Sequence, residues 1–433
     1  MKRSFTRLFS SSSLSTKDVF IVSCARTPLG AFQGKCQCLF IKISYYSVAV
    51  RFVDIGSLME KSATQLGGEA ISAAVAKAKI PSKAVQEVMM GCVLQGGLGQ
   101  APARQAALNA GLDISTPSTT VNKVCASGMK AIMLNAANLA LGLQVSLFFS
   151  LSDKIKLRFF FFKDVVVSGG MESLSNSPFY LQRGSTPYGE VKLKDACHFD
   201  ALTDARSAWH MGQCAEKTAG DLKITRKEQD DYARLSLKRL EIALKKEVFK
   251  DEITAIDAIE TDDNMNPFEI SDIDAMPTPW GSTVTRASAS KLADGAAACV
   301  LMNQDGLDKY NVKPEAKILG FTDAAQDPLD WPTTPAIGMQ KLLKNLGLQV
   351  QDIAMFEINE AFAVVVLANA QILGLDMDKV NVNGGAIGLG HPFGMSGARI
   401  TNHLVHQLKE GQIGIASLCN GGGGASSIAI QKL

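Results

Sequence analysis

The sequence holds 433 residues, length for two or three domains, and its 46% hydrophobic and 20% charged residues are ordinary for a soluble globular protein with a large core. A formal net charge of +2 implies no polyanion-binding surface, which argues against nucleic acid as a partner. The nine cysteines are scattered and form no paired CxxC units, so neither a structural metal site nor a disulfide framework is favoured.

Residues 1–17 carry Lys2, Arg3, Arg7 and Lys17, several serines and apolar Phe5, Leu8 and Phe9, with no acid before Asp18. This is transit-peptide composition, and a mitochondrial matrix address is expected. The C-terminal QKL departs from the SKL signal at its first residue, leaving a peroxisomal or cytoplasmic location as the alternative. No stretch offers the eighteen or so uncharged apolar residues of a bilayer span.

A first strand, DVFIVSCAR, begins at Asp18. Short β-branched runs (DVVVSGG, IGIASLCN, SIAIQ) then alternate with Ala-rich helical stretches such as GGEAISAAVAKAK, which predicts an α/β fold with buried sheets covered by helices. Two echoes point to an internal repeat. SGMKAIMLNAANLALG, from Ser127, leads to DVVVSGGMES as SGARITNHLVHQLKEG, from Ser396, leads to QIGIASLCNGGGGAS. KAVQEVMMGCV, from Lys83, is echoed by VQDIAMFEINEA, from Val350. Two similar layered halves are expected, 18–283 and 284–433, with a charge- and turn-rich excursion at 176–283. The repeat exposes an anomaly: residues 145–163 (VSLFFSLSDKIKLRFFFFK) stand between helix and strand in the first copy only, with Phe-rich composition and no Gly or Pro. A retained non-coding segment is the expected origin.

Four motifs carry chemistry. In VNKVCASGMKA, Cys125 sits before a predicted helix, whose unpaired N–H groups and dipole are expected to lower its pKa toward neutrality. On its own such a cysteine usually fills space. In EINEAFA, Asn359 leads into a helix and either holds a water or caps that helix. NVNGGAIGLGHPFGMSGAR places six glycines around His391, giving backbone room for a ligand beside an imidazole base. His403 and His406 on the following helix read as packing or surface. In SLCNGGGGAS, Cys419 ends a β-run and opens onto glycines that can present N–H groups to an oxyanion.

In this order, with RTPLGAFQG and VLQGGLGQAPARQ upstream, these motifs resemble the thiolase family over residues 17–433, and within it most closely the mitochondrial enzymes that act on acetoacetyl-CoA. The resemblance implies the duplicated thiolase fold, layered α-β-α-β-α, and an acyltransferase that reversibly condenses two acetyl-CoA to acetoacetyl-CoA, with free CoA released, usually as a homotetramer. It implies that Cys125 carries the acyl group, His391 activates Cys125, and Cys419 moves the α-proton of the second thioester. A water on Asn359, with His391 Nε2, would form one oxyanion hole, and the N–H groups of Cys125 and Gly421 the other. Ser290, in RASASKLADGAA, matches the serine that bonds the pantetheine chain, and Trp331-Pro332 matches a signature associated with 2-methyl-branched substrates. No prosthetic group and no metal ligand set is implied.

Three departures accompany the resemblance. Arg206, in LTDARSAWHMG, stands where the mitochondrial members place a tyrosine that helps bind potassium and CoA, and a guanidinium cannot ligate a cation. Loss of potassium dependence is the expectation. The segment before GSTVT reads FEISDIDAMPTPW and lacks the family's Arg and Lys for the CoA nucleotide, so those contacts must differ. Residues 35–56, including CQCLFIKISYYSVAV, form a second insertion. A ketoacyl synthase would share the doubled fold but needs a second histidine where Asn359 stands, and gives Cys419 no role. A catalytically idle lipid-binding or scaffolding thiolase fold is the non-enzymatic alternative, which the four intact motifs oppose.

Overall fold

The computed structural model describes residues 17–34, 36–43, 46–53, 58–142, 146–149, 158–161, 163–184, 188–256, 261–262 and 270–433. The expected leader lies outside the described residues except for Lys17, whose N–H donates to the Ala140 carbonyl at 2.9 Å.

The strands line up in one ten-stranded sheet that is internally mirrored. On one side the order runs Ser118–Val121, Val88–Gly91, Val165–Ser173, Ala293–Met302, Phe20–Arg26; on the other it runs Met355–Ile358, Ile413–Asn420, Gly424–Lys432, Ala316–Ala325. Phe20–Arg26 and Ala316–Ala325 join at a short seam, Phe20 opposite Lys317 and Ile21 opposite Ala316. Each side has a parallel pairing, Val88–Gly91 with Val165–Ser173 and Met355–Ile358 with Ile413–Asn420. Antiparallel pairings follow on both sides. This is the duplicated α/β architecture. The remaining strand, Gly30–Ala31, pairs with Ala293–Met302.

The central strands are hydrophobic on both faces because both faces are covered. Val165–Ser173 and Ala293–Met302 are buried along their whole lengths. Ala63–Lys77, started by a Ser62/Gln65 capping box, covers one half from outside, and Thr334–Leu346 covers the other. Between the halves, helices Ser127–Leu141 and Phe393–Gln407 pack on each other and on strands of both sides. Their repeated Ser-Gly dipeptides have a steric reason. A Cβ on Gly128 would lie 2.6 Å from the Gly394 oxygen, and one on Gly397 would lie 2.7 Å from Met129 Cβ and N. The helices therefore cross at the glycines with which the echo begins.

The second of those helices starts at Phe393, three residues before the expected Ser396, and the first ends at Leu141, before the expected Gln144. Gly142, with φ 59°, closes it in a left-handed cap. The apolar stretch Val124–Leu141 has the length and hydropathy of a bilayer span, yet most of it is buried between the halves and it contains Lys130, so it is a core helix. Both anomalous segments form antiparallel hairpins, Cys36–Ile43 with Tyr46–Val53 and Ser146–Phe149 with Arg158–Phe161, and neither hairpin joins the large sheet.

Candidate active site

Strand ends and helix starts from both halves converge on one cavity of about 360 Å³. Cys125, Ser290, His391 and Gly421 line it, and Asn359 and Cys419 lie buried just behind the lining. Cys125 precedes the helix Ser127–Leu141, and Val124 before it takes a left-handed φ of 48°, which turns the chain so that the thiol faces the cavity. The N–H groups of Gly421 and of Cys125 itself bond the sulfur. The expected fall of the thiol pKa does not occur: burial outweighs those N–H groups and pushes Cys125 up to about 12.

His391 is set by a relay. Its own N–H donates to the Lys291 carbonyl at 2.8 Å, fixing the loop backbone. Ser396 Oγ donates to the Pro392 carbonyl at 3.0 Å, so toward His391 Nδ1, at 2.5 Å, it can only accept. Nδ1 therefore carries the ring proton and Nε2 keeps a lone pair, facing Asn359 Nδ2 at 3.3 Å. Burial, helped by the positive charge of Arg399, holds the ring down to about 3, so the resting imidazole is neutral.

Asn359 caps nothing. The following helix, Ala363–Leu373, has Phe362 at its cap position and no side-chain cap, whereas the Asn359 amide turns inward to His391. Its Oδ1 is buried and has no hydrogen-bond partner among the described residues. Cys419, at the end of Ile413–Asn420, is raised well above an ordinary thiol by burial first and then by the charge Cys125 would carry, which puts the two sulfurs within electrostatic reach. Beyond it, Gly422 and Gly423 have φ of 82° and 86°, and a Cβ at Gly423 would sit 2.3 Å from the Gln326 oxygen, so this turn requires glycine.

Buried carboxylates bind the motif loops to each other. Glu360 accepts from Tyr232 at 2.7 Å, Ser236 at 2.9 Å and the Ile387 N–H at 3.0 Å, tying EINEAFA to the glycine loop. Glu172 accepts from the N–H groups of Val93 (3.0 Å), Leu94 (3.0 Å) and Gly394 (2.8 Å), tying the end of a sheet strand to the His391 turn. Ser290 N–H bonds the Ala361 carbonyl at 3.0 Å, so RASASK runs alongside EINEAFA and places Ser290 on the cavity wall.

Sequence reasoning missed Ser396, Glu172 and Glu360, although all three lie inside or beside motifs it quoted. Their roles depend on partners brought in by the fold. His403 is no bland packing residue either: its Nδ1 bonds Glu252 at 2.9 Å in a buried network with Arg26. Arg206 does not line the cavity. It is exposed in a turn headed by Asp204, which accepts from the Arg206 N–H at 3.1 Å, and the cavity wall from this region is made instead by Ala201, Leu202, His210 and Met211.

A duplicated α/β fold with a thiol, a neutral histidine and backbone donors at the join of its halves defines a cysteine-dependent enzyme of the acyl-transferring kind. The chain belongs to the thiolase family: residues 48–147 and 162–305 match its N-terminal domain and residues 312–432 its C-terminal domain. Among its relatives, the mitochondrial acetyl-CoA acetyltransferase of Bos taurus is 48% identical over 428 residues, spanning 96% of this chain and 92% of that protein. The Homo sapiens protein of the same name is 47% identical over 429 residues, spanning 96% and 91%. Similar solved structures include the Ascaris suum Acat5 thiolase in complex with coenzyme A, with TM-score 0.85, 38% identity and coverage of 96% of this chain and 100% of that one. Human mitochondrial 3-ketoacyl-CoA thiolase in complex with CoA superposes with TM-score 0.84 at 32% identity, covering 96% and 98%.

Proposed function

We propose that the chain is an acetyl-CoA C-acetyltransferase that reversibly condenses two acetyl-CoA into acetoacetyl-CoA and free CoA. The observation that carries the reading is the Ser396 relay, which leaves His391 Nε2 unprotonated at the cavity that Cys125 lines. Cys125 gives its proton to His391 Nε2 as its sulfur attacks the thioester carbonyl. The oxyanion that forms meets the N–H groups of Cys125 and Gly421. The thioester collapses to acetyl-Cys125, and the departing CoA thiolate takes the Cys419 proton. Cys419 thiolate then removes the α-proton of a second acetyl-CoA, whose enolate oxygen is received by His391 Nε2–H and a water on Asn359. The enolate carbon attacks acetyl-Cys125, and the released Cys125 thiolate recovers its proton from His391. Protons balance over the cycle.

The relatives' names support a mitochondrial location, with the matrix as the compartment that the basic N-terminus addresses. A homotetramer, a division into halves near 283/284, potassium-independent turnover and acceptance of 2-methyl-branched acetoacetyl-CoA complete the proposal. For the last, Trp331 on the cavity wall is the supporting feature. Purified protein should cleave acetoacetyl-CoA in the presence of CoA. After acetyl-CoA addition, mass spectrometry should find one acetyl group on Cys125 in the wild type and in Cys419→Ala, and none in Cys125→Ala; Cys419→Ala should also fail to exchange the α-proton. An acetylated active-site cysteine in the Cys125 variant would overturn the assignment of roles.

A further inference from the structure

Trp331 reaches the cavity wall from a short 3-10 turn, Pro328–Thr333, and the half-buried side chain of Gln326, which does not itself line the cavity, organises that turn. Gln326 Nε2 lies 2.6 Å from the Asp330 carbonyl, 2.7 Å from Thr333 Oγ1 and 3.0 Å from Thr334 Oγ1. Both hydroxyls have committed their protons elsewhere. Thr333 donates to the Asp330 carbonyl at 3.0 Å and the buried Thr334 to the Gly423 carbonyl at 3.1 Å, so toward Gln326 they can only accept. All three partners are therefore acceptors, which sets the NH2 end of the Gln326 amide against them. The Gln326 main chain reaches the same glycine, since its N–H donates to the Gly423 carbonyl at 3.0 Å. Two donors, one from each end of the segment 326–334, thus hold the Gly423 oxygen. Gly423 belongs to the turn that presents the Gly421 N–H to the Cys125 sulfur.

We infer that Gln326 is a positioning residue: it locks the turn bearing Trp331 onto the glycine turn after Cys419, and so keeps the Gly421 N–H aimed at Cys125. The inference rests on the proposed acetyl transfer only for its kinetic consequence, because the bond from Gly421 to the Cys125 sulfur is made in the free protein. Hydrogen bonds weaken steeply as the donor swings off line. A glycine turn released from Gln326 would therefore loosen the donor on the sulfur and, with it, the donor that meets the oxyanion.

Alkylation of Cys125 tests this without relying on turnover. Gln326→Met keeps the length of the side chain and removes its donors, whereas Gln326→Glu keeps its shape and sets a carboxylate against three acceptors. With iodoacetamide at a fixed pH near 8, read by mass spectrometry of the Cys125 peptide, alkylation should slow about threefold in Gln326→Met and further in Gln326→Glu, because a sulfur without the Gly421 N–H forms less thiolate. Thiolysis of acetoacetyl-CoA should lose about tenfold in kcat with KM within about twofold. Thr334→Ser retains the hydroxyl that bridges Gln326 and Gly423 and should stay within about twofold of wild type in both assays, while Thr334→Val should follow Gln326→Met. Alkylation of Gln326→Met at the wild-type rate or faster would overturn the inference, and a lowered melting temperature alongside that rate would leave Gln326 a purely structural residue. A wild-type chain that fails to cleave acetoacetyl-CoA, but whose Cys125 still alkylates more slowly once Gln326 is replaced, would sink the catalytic reading and leave the positioning role standing.

Discussion

Burial pushes the Cys125 thiol up to about 12 and, with Arg399, draws the His391 imidazole down to about 3, so the resting pair is a neutral thiol beside a neutral ring. This differs from a preformed thiolate–imidazolium pair and has a measurable consequence. The thiolate fraction of a group titrating near 12 grows with every step of pH below that value, so alkylation of Cys125 by iodoacetamide should accelerate about tenfold per pH unit between about pH 7 and pH 9. A rate that levels off near neutrality would show an ion pair instead. Potassium dependence is a prediction at the same scale. Arg206 has no lone pair to offer a cation and lies outside the cavity, so exchanging potassium for sodium at constant ionic strength should alter kcat/KM by less than about twofold. Several-fold activation by potassium would defeat that expectation. The helix-dipole argument failed at Cys125 because it counted the N–H groups and omitted the apolar enclosure, which only the fold supplies.

At the scale of elements, the nucleophile's segment is fastened across the join of the two halves. Lys123, two residues before Cys125, donates to Asp323 Oδ1 at 2.7 Å, the Ala425 carbonyl at 2.9 Å and Ser426 Oγ at 2.8 Å, and Lys130 on the helix that follows bonds the other Asp323 oxygen. Burial alone would raise the Asp323 carboxyl, but Lys123 and Lys130 outweigh it and bring it down to about 2. Its stabilising contribution is therefore present above the ordinary carboxylate range and lost as pH falls toward 2. Asp323→Asn should release the segment that aims Cys125, lowering kcat about tenfold with KM for acetoacetyl-CoA within about twofold, and Asp323→Glu should recover most of the loss. A rise in KM with kcat intact would assign Asp323 to substrate binding instead. This latch could not be read from sequence, because Lys123 and Asp323 come from different halves and no local pattern links them. Cys125, Asn359, His391 and Cys419 were picked out through the resemblance that their motifs carry, since from the residues alone a lone cysteine reads as filling space and Asn359 as a helix cap. Ser396 lay within a quoted motif, yet its effect on the tautomer appears only once the Pro392 carbonyl is seen to take its proton.

For the whole molecule, the repeat that points to two halves also sets residues 145–163 apart, because only the first copy contains them. In the C-terminal half, residues 408–412 connect the helix Phe393–Gln407 to the strand Ile413–Asn420. Without residues 145–163, Gly142, Leu143, Gln144 and Asp164 would connect Ser127–Leu141 to Val165–Ser173, a link of nearly the same length. The match to the family's N-terminal domain breaks over almost the same stretch, between residues 147 and 162. At the other insertion the flanks already touch: a Cβ on Gly30 would lie 2.8 Å from Leu58 Cβ, so the chain leaves and returns at one place. Among the described residues both insertions form hairpins separate from the large sheet, and an isolated two-stranded ribbon is marginal in water. Extra loop length alone costs little, about 0.6 kcal/mol per doubling. The hazard is composition, since LFF, FFFF and CLFIKISYYSVAV are β-prone, aromatic and nearly uncharged, the features of segments that pair between chains. Deleting 35–56 and 145–163 together should therefore raise soluble yield and specific activity while leaving KM for acetoacetyl-CoA unchanged, because the cavity is lined from outside both segments. Size-exclusion profiles and thiolysis rates of the two proteins decide the matter. A deletion variant that is less soluble or less active than the full chain would show that the hairpins pack into the native fold.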